Sequence, residues 1–418
     1  MIMRQYLFFL CTCLIFTSQS LAQWTKVEEI SSPYIYSALF DGDNIFVGGD
    51  SLYISKNRGL TWQASAPTGQ PIEITAISKF GDVIYLGTYS SGVYISSNNG
   101  DSWSPFNSGL GAYAEYAKKF VSSGDTIIYA TDGGGVYILK PGSNIWQEYN
   151  ENLPSNIAWT TNDIVVSNTN IILSSGASGF YHIRPKGSSQ WIEGWIQTPN
   201  GTYTTPKALL AIGNIVFSGS RAGIYKSLDN GVTWDSVGIR AMPLEAVCFA
   251  MDKNRIYAGY TRSSGNDYFV WYTDDLGESW NILDHQFQFL LNLYIYDNKI
   301  WAGTNDGFWY KELETTSSDP IEKPITFKLG QNYPNPFNPT TNISWQSPVG
   351  SHQTLKVYDV LGNEVAALVN EYREAGNYET FFNADDLASG VYFYRIVIHS
   401  DKLQIGSYIE TKKMLLLR

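Results

Sequence analysis

The chain is poor in charge, poorer still in basic residues, and close to lacking cysteine and histidine. Charged residues make up 16% of its 418 positions, against about 25% in an average soluble domain. Lys and Arg number 28 against 39 Asp and Glu, a formal net charge of −11. That balance excludes a nucleic-acid binder, whose footprint is a basic patch or stripe. The scarcity of charge accompanies 44% hydrophobic and 15% aromatic residues, which excludes a disordered chain. Four His and three Cys offer no H-E-x-x-H spacing and no Cys pairs for a structural zinc. No G-x-S-x-G elbow or phosphate loop is present. Gly133-Gly134-Gly135 follows Asp132 in a hairpin turn, whereas a nucleotide cradle needs a helix to follow. No catalytic residue, metal site or cofactor is therefore assigned.

Long apolar runs are missing too, apart from Tyr6 to Phe16. That stretch is too short for a bilayer, which needs roughly 20 residues. With Arg4 before it and Ser20-Leu21-Ala22 after it, it reads as a secretory signal over residues 1–22, cut before Gln23. Leu10 before Cys11 does not fit a lipoprotein signal. Cys11 and Cys13 leave with the signal, so the mature chain keeps Cys248 alone, in the apolar stretch Ala246 to Ala250. It reads as a buried small hydrophobe. No transmembrane segment is expected in the mature chain.

What the chain does have is a repeat. Trp62, Trp103, Trp146, Trp191, Trp234 and Trp280 stand 41 to 46 residues apart. Before them runs a hairpin whose first strand ends in Gly-Thr or similar and whose second begins Val-Tyr or Ile-Tyr. Seven copies occur, at Gly48–Tyr53, Gly87–Tyr94, Ala130–Tyr137, Ser175–Tyr181, Gly219–Tyr225, Gly259–Trp271 and Gly303–Trp309. Four Trp residues close a matching turn: Ser55 to Trp62, Ser96 to Trp103, Ser227 to Trp234 and Thr273 to Trp280. In it, Asn57, Asn98, Asp229 or Asp275 bonds nearby backbone N–H groups, while Gly59, Gly100, Gly231 or Gly277 supplies the left-handed conformation. The Trp packs between neighbouring sheets.

This turn resembles the Asp-box (BNR repeat) of sialidase-like propellers, sortilin-type receptor domains and photosystem assembly factors. The resemblance implies an all-β, seven-bladed β-propeller over residues 23–313, with the Asp-boxes at the blade periphery. The ends fit a closed ring. The last hairpin lacks a following Trp-bearing strand, and Trp24 to Val27 is such a strand without a hairpin. Pairing them completes the seventh blade and removes an open edge.

Residues 314–328 break the period and read as a linker. Beyond them stands Gln331-Asn332-Tyr333-Pro334-Asn335-Pro336-Phe337-Asn338-Pro339. Short strands are expected at 342–346, 354–358, 378–382 and 391–397, with a turn at Asp359 to Asn363, together a small β-sandwich. Residues 329–418 closely resemble the type A C-terminal sorting domain of the type IX secretion system of Bacteroidetes. The match rests on the Asn-Tyr-Pro-Asn-Pro-Phe-Asn-Pro stretch, Val357-Tyr358-Asp359, Ala375 to Tyr378, Ser389 to Arg395 and Thr411 to Leu417. The resemblance implies an immunoglobulin-like sandwich that engages the type IX machinery, and export to the cell surface or beyond.

The ligand is not written in the chain. Sialidases need three arginines, a Tyr nucleophile with its Glu, and an Asp acid/base, but arginine is scarce here. Arg58 and Arg184 fall in peripheral turns, leaving Arg221, Arg240, Arg255 and Arg262 in the ring. Asp132, Asp267 and Asp306 lie on hairpin loops facing the channel. They support an alternative reading as a glycoside hydrolase or lyase. The favoured reading is a non-enzymatic binding module for an extracellular glycan or protein. Its connections between blades carry Tyr113, Tyr116, Trp159, Trp195, Tyr203 and Phe287, most of them expected to pack the blades. Trp195 and Tyr203, with Arg221, Asp132 and Asp306, are the candidate contacts.

Overall fold

The computed structural model describes residues 23–154, 160–176, 180–237, 244–262, 268–313, 324, 326–399 and 407–417 (the side chains of 244, 262, 284–286 and 407 apart). The expected signal at 1–22 lies outside them, as do Trp159, Arg240 and Asp267. The described residues form strands, turns and loops, with no helix among them.

Between Thr25 and Glu312 these strands make seven antiparallel sheets. Their first strands are Ser37–Asp41, Ile74–Phe80, Ala117–Ser123, Thr161–Val166, Pro206–Ile212, Leu244–Asp252 and Leu290–Tyr296. Each touches the next, and the seventh touches the first, so the sheets stand in a ring around these inner strands. The N-terminal strand Thr25–Lys26 closes it, with Thr25 opposite Tyr310 and Lys26 opposite Trp309.

The second strand of each sheet is apolar without alternation, because neighbouring sheets cover both its faces. Ile45-Phe46-Val47, Ile171-Ile172-Leu173 and Ile215-Val216-Phe217 are all buried. The Gly that ends many of these strands is there for close approach. A Cβ on Gly87 would stand 2.3 Å from the Ala117 Cβ of the next sheet, and one on Gly303 would stand 2.7 Å from the Ile35 carbonyl oxygen.

The Trp-bearing turn has one geometry in all four copies. In the third, the buried Ser227 hydroxyl donates to Asp229 Oδ1 (2.7 Å) and accepts from the Gly231 N–H (2.8 Å). Asp229 then accepts from the Thr233 N–H and hydroxyl (2.8 and 2.5 Å). Gly59, Gly100, Gly231 and Gly277 have φ between 83° and 88°. These glycines face the second strand of the preceding sheet, so each turn fastens one sheet to the one before. Gly231 faces Ile172 and Gly277 faces Phe217.

Two expectations are corrected. Arg184 is not in a peripheral turn: it lies in Phe180–Pro185, 3% exposed, and bonds Glu151 at 3.0 Å. Its guanidinium lies 3.2 Å from the Tyr149 ring centre, so a sheet without the repeated turn is fastened by a stacked cation instead. Trp195 and Tyr203 are not in a connection between sheets. They lie on Ile192–Gln197 and Tyr203–Thr204, a hairpin that gives the fourth sheet a fifth, outer strand. Asn200-Gly201 at its tip is a hairpin-turn pair, and the Thr198 N–H donates to the Thr202 carbonyl at 2.7 Å.

The C-terminal residues form two sheets around a shared core. One holds Lys328–Leu329, Thr340–Ser347 and Gly376–Asn383; the other holds Ser351–Tyr358, Glu364–Arg373, Gly390–His399 and Ser407–Leu416. Phe327 is buried in that core and stacked on Tyr408, so the sandwich takes in residues read as the end of the linker.

Candidate functional site

The inner strands share an irregularity that no repeat in the sequence announces. Six of the seven carry a β-bulge near the start of pairing with the second strand, after the first pair in five and after the third in Leu244–Asp252. A bulge leaves one residue outside the ladder and re-aims its side chain. The extra residues are Thr75, Lys118, Asn162, Lys207, Val247 and Leu291, and all six line a cavity of about 710 Å³ at the ring axis. Tyr36 holds the corresponding place in the first sheet, just before the Ser37–Gly48 pair, and lines it too.

Around this ring of seven the chemistry is uneven. The second to fifth sheets present Thr75, Lys118, Asn162 and Lys207; the sixth, seventh and first present Val247, Leu291 and Tyr36. Thr75 and Asn162 tie neighbouring sheets, donating to the carbonyls of Ala117 (2.8 Å) and Pro206 (2.9 Å). Asn292, beside Leu291, does the same to Tyr36 (2.7 Å). Asp163 accepts from Lys119 (2.6 Å), its own neighbour's N–H at Ile164 (2.8 Å) and the Leu209 N–H (2.7 Å). Its charge is spent inside the wall. Among the described residues Lys118 and Lys207 have no hydrogen-bond or ion-pair partner.

Aromatic rings line the same cavity. Tyr36 stacks on the half-exposed Tyr34 (6.1 Å), Tyr89 meets Tyr116 edge-on (5.3 Å), and Phe289 lies against Tyr268 (4.9 Å). Burial, with Glu73 nearby, pushes the Tyr36 phenol above its ordinary pKa. Cys248 is also in the wall, and burial raises its thiol to about 12. It is therefore a thiol at neutral pH, with no thiolate for nucleophilic chemistry.

The candidate contacts separate by place. Asp132 lines the cavity and is exposed, its N–H bonded to the Tyr116 carbonyl at 2.8 Å. Arg221 reaches Glu245, a cavity residue, at 3.6 Å. Asp306 accepts from Lys26 at 2.8 Å and is not among the lining residues. Trp195 and Tyr203 are both more than half exposed and in edge-on contact at 6.1 Å, on the outer hairpin rather than at the channel. Tyr113 is exposed with φ of 65°; Phe287 is not in a connection between sheets but ends the strand Asn281–Phe287, paired with Tyr268 and buried against Trp24. No group of three His, Cys, Asp or Glu among the described residues is placed to hold a metal ion.

The bulged residues escaped the sequence because they share a position and not a residue type. Four of the six have a Gly opposite the bulge, Gly87, Gly219, Gly259 or Gly303, whereas Ala130 and Ser174 hold that place beside Lys118 and Asn162.

In the sandwich, the Asn332 to Pro339 stretch is anchored to the C-terminal strand. The Asn332 N–H donates to the Tyr394 hydroxyl (2.8 Å), and Asn335 Oδ1 accepts from the Leu415 N–H (2.9 Å). Phe337 is 2% exposed and exchanges backbone bonds with Leu415 and Leu417.

Comparison with known proteins divides along the same line. No curated protein matches the chain in sequence. Among solved structures, YCF48 from Cyanidioschyzon merolae is similar with a TM-score of 0.54 at 15% identity, over 69% of this chain and 98% of that one. YCF48 bound to D1 peptide gives 0.54 at 13%, over 72% and 98%. The extracellular domain of a one-component system from B. thetaiotaomicron gives 0.56 at 13%, over 91% of this chain and 52% of that one. At these identities the likeness is one of fold, the β-propeller. Residues 331–408 match the family described as the secretion system C-terminal sorting domain. The chain thus has the β-propeller fold, followed by residues 331–408 that match a secretion-system C-terminal sorting domain.

Proposed function

We propose that this protein is exported by the type IX secretion system and that its propeller is a non-enzymatic binding module for an extracellular glycan or protein. In this reading residues 1–22 are a cleaved signal, 23–313 the seven-bladed propeller with Asp-box turns, 314–328 a linker, and 329–418 an immunoglobulin-like sorting domain that engages the export machinery. The mature protein acts outside the cell or on its surface.

The observation that carries the binding reading is the axial cavity. It has a wall of paired strands, aromatic rings at Tyr36, Tyr89, Tyr116 and Phe289, carboxylates occupied by protein partners at Asp163 and Glu245, and one exposed carboxylate, Asp132. Rigid aromatics beside a few fixed polar groups are the make-up of a recognition site. A hydrolase instead needs two carboxylates free to share a bond.

The test is to incubate the full chain with a panel of glycans and peptides and record by mass spectrometry what is retained and what is cut. Retention that falls on Tyr89→Ala supports binding at the cavity. Cleavage overturns the reading and turns attention to Asp132 and Glu245. For export, deleting 329–418 is expected to keep the protein inside the cell; unchanged secretion sinks the sorting role.

A further inference from the structure

We propose that the axial cavity takes the free carboxyl end of a peptide whose last residue is apolar, with Lys118 and Lys207 holding the carboxylate. The inference rests on the cavity being the binding site and names the chemistry that it selects.

Three features meet in the ring of bulged residues. The first is charge without a partner. Lys118 and Lys207 both line the cavity, and neither is paired among the described residues, whereas Lys119 beside them is neutralised by Asp163. Lys118 is exposed and Lys207 half-buried on this wall, and two unpaired ammonium groups on one wall attract an anion. The second is the residue between them. The Asn162 amide nitrogen is committed to the Pro206 carbonyl. Its Oδ1 thus remains an acceptor between two cations, the place for the N–H that precedes a terminal carboxylate. The third is the adjoining arc, where Val247 and Leu291 add apolar side chains to the wall. A glycan offers that wall only the C–H faces of its rings, and a fatty acid offers Asn162 no N–H. An apolar terminal residue satisfies all three.

Each of Lys118, Asn162 and Lys207 is the single residue left outside a ladder of paired strands. A site built on strands is held more tightly than one built on loops. The carboxylate then meets positioned cations, and little is lost in ordering them.

Fluorescence anisotropy with the full chain tests this. The probe is a fluorescein-labelled pentapeptide, Gly-Ser-Gly-Ala-Leu, as the free acid and as the C-terminal amide. The acid is expected to bind about tenfold or more tightly than the amide. That preference should shrink as salt rises, and should vanish in K118Q/K207Q. Leu291→Asn is expected to weaken acid and amide alike while leaving their ratio unchanged. Equal binding of acid and amide overturns the inference, as does a preference that survives K118Q/K207Q. Absence of binding up to about 1 mM, or binding of decanoate in place of the peptide, overturns it equally. If Tyr89→Ala weakens an acid and an amide that bind equally, the cavity reading stands and only the carboxylate inference falls. Thermal melts of each variant separate lost binding from lost fold.

Discussion

The two ends of each sheet solve opposite problems with similar materials. At the outer turn, the side chains of Ser227, Asp229 and Thr233 and the Gly231 N–H bond one another. At the axis, the bulged residues are Thr, Lys, Asn, Lys, Val and Leu, and two of the cations stay unpaired. The turn keeps its residue types from copy to copy; the bulge keeps only its position. Repetition of residue type marks what four of the seven sheets use to hold a neighbour. Variation at a fixed position marks what the ring as a whole presents to a ligand.

That contrast breaks most readily at the turn. Gly231→Ala puts a Cβ 2.6 Å from Ile172 Cδ1 at a φ of 85°. The expected loss is about 2–4 kcal/mol, read as a lower denaturant midpoint. Ser227→Ala removes a buried hydroxyl that both donates and accepts, and about 1–2 kcal/mol should go with it. A loss near zero at both positions would mean that the turn is ornament and the packing of the strands suffices.

A third test separates the blade interior from both ends. His182 is 1% exposed in Phe180–Pro185, and burial lowers its pKa to about 4. The unfolded chain therefore binds a proton that the folded chain refuses between about pH 6.5 and 4. Stability contributed by keeping this group neutral is intact above pH 6.5 and is lost as pH falls through that window. His182→Leu should flatten the stability profile there relative to the parent, measured by urea unfolding at several pH values. An unchanged slope would place the acid sensitivity elsewhere. The smallest effect on folding belongs to the axis: K118Q/K207Q should shift stability by no more than about 0.5 kcal/mol. A larger loss would show that the lysines hold the ring.

The sequence reader sees the turn and the strand-ending Gly because both are local: a few adjacent residues suffice to make them. The closure of the ring was legible for a related reason, since Trp24 to Val27 and the last hairpin each lacked a partner. The inner bulges were not legible, because a bulge exists only in the register between two strands. Glu364–Arg373 was missed as a strand: Val365-Ala366-Ala367-Leu368-Val369 has no period of two, and tertiary pairing with Ser351–Tyr358 decides it. The outer hairpin was misplaced although Asn200-Gly201 spelled out its turn. The aromatics Trp195 and Tyr203 were expected to be exposed, and they are. Their distance from the axis depends on strand order, which no single segment encodes.

Thr25 and Tyr310 are register partners at opposite ends of the propeller's chain. Until the last sheet has been delivered, the first strand has nothing to pair with and the ring stays an open arc with two raw edges. Loop-closure entropy makes such a contact late and slow. Crossing a membrane would put the two partners on different sides for as long as the chain was threaded. A completed ring therefore records that the whole chain from Thr25 to Tyr310 stood in one compartment when it closed.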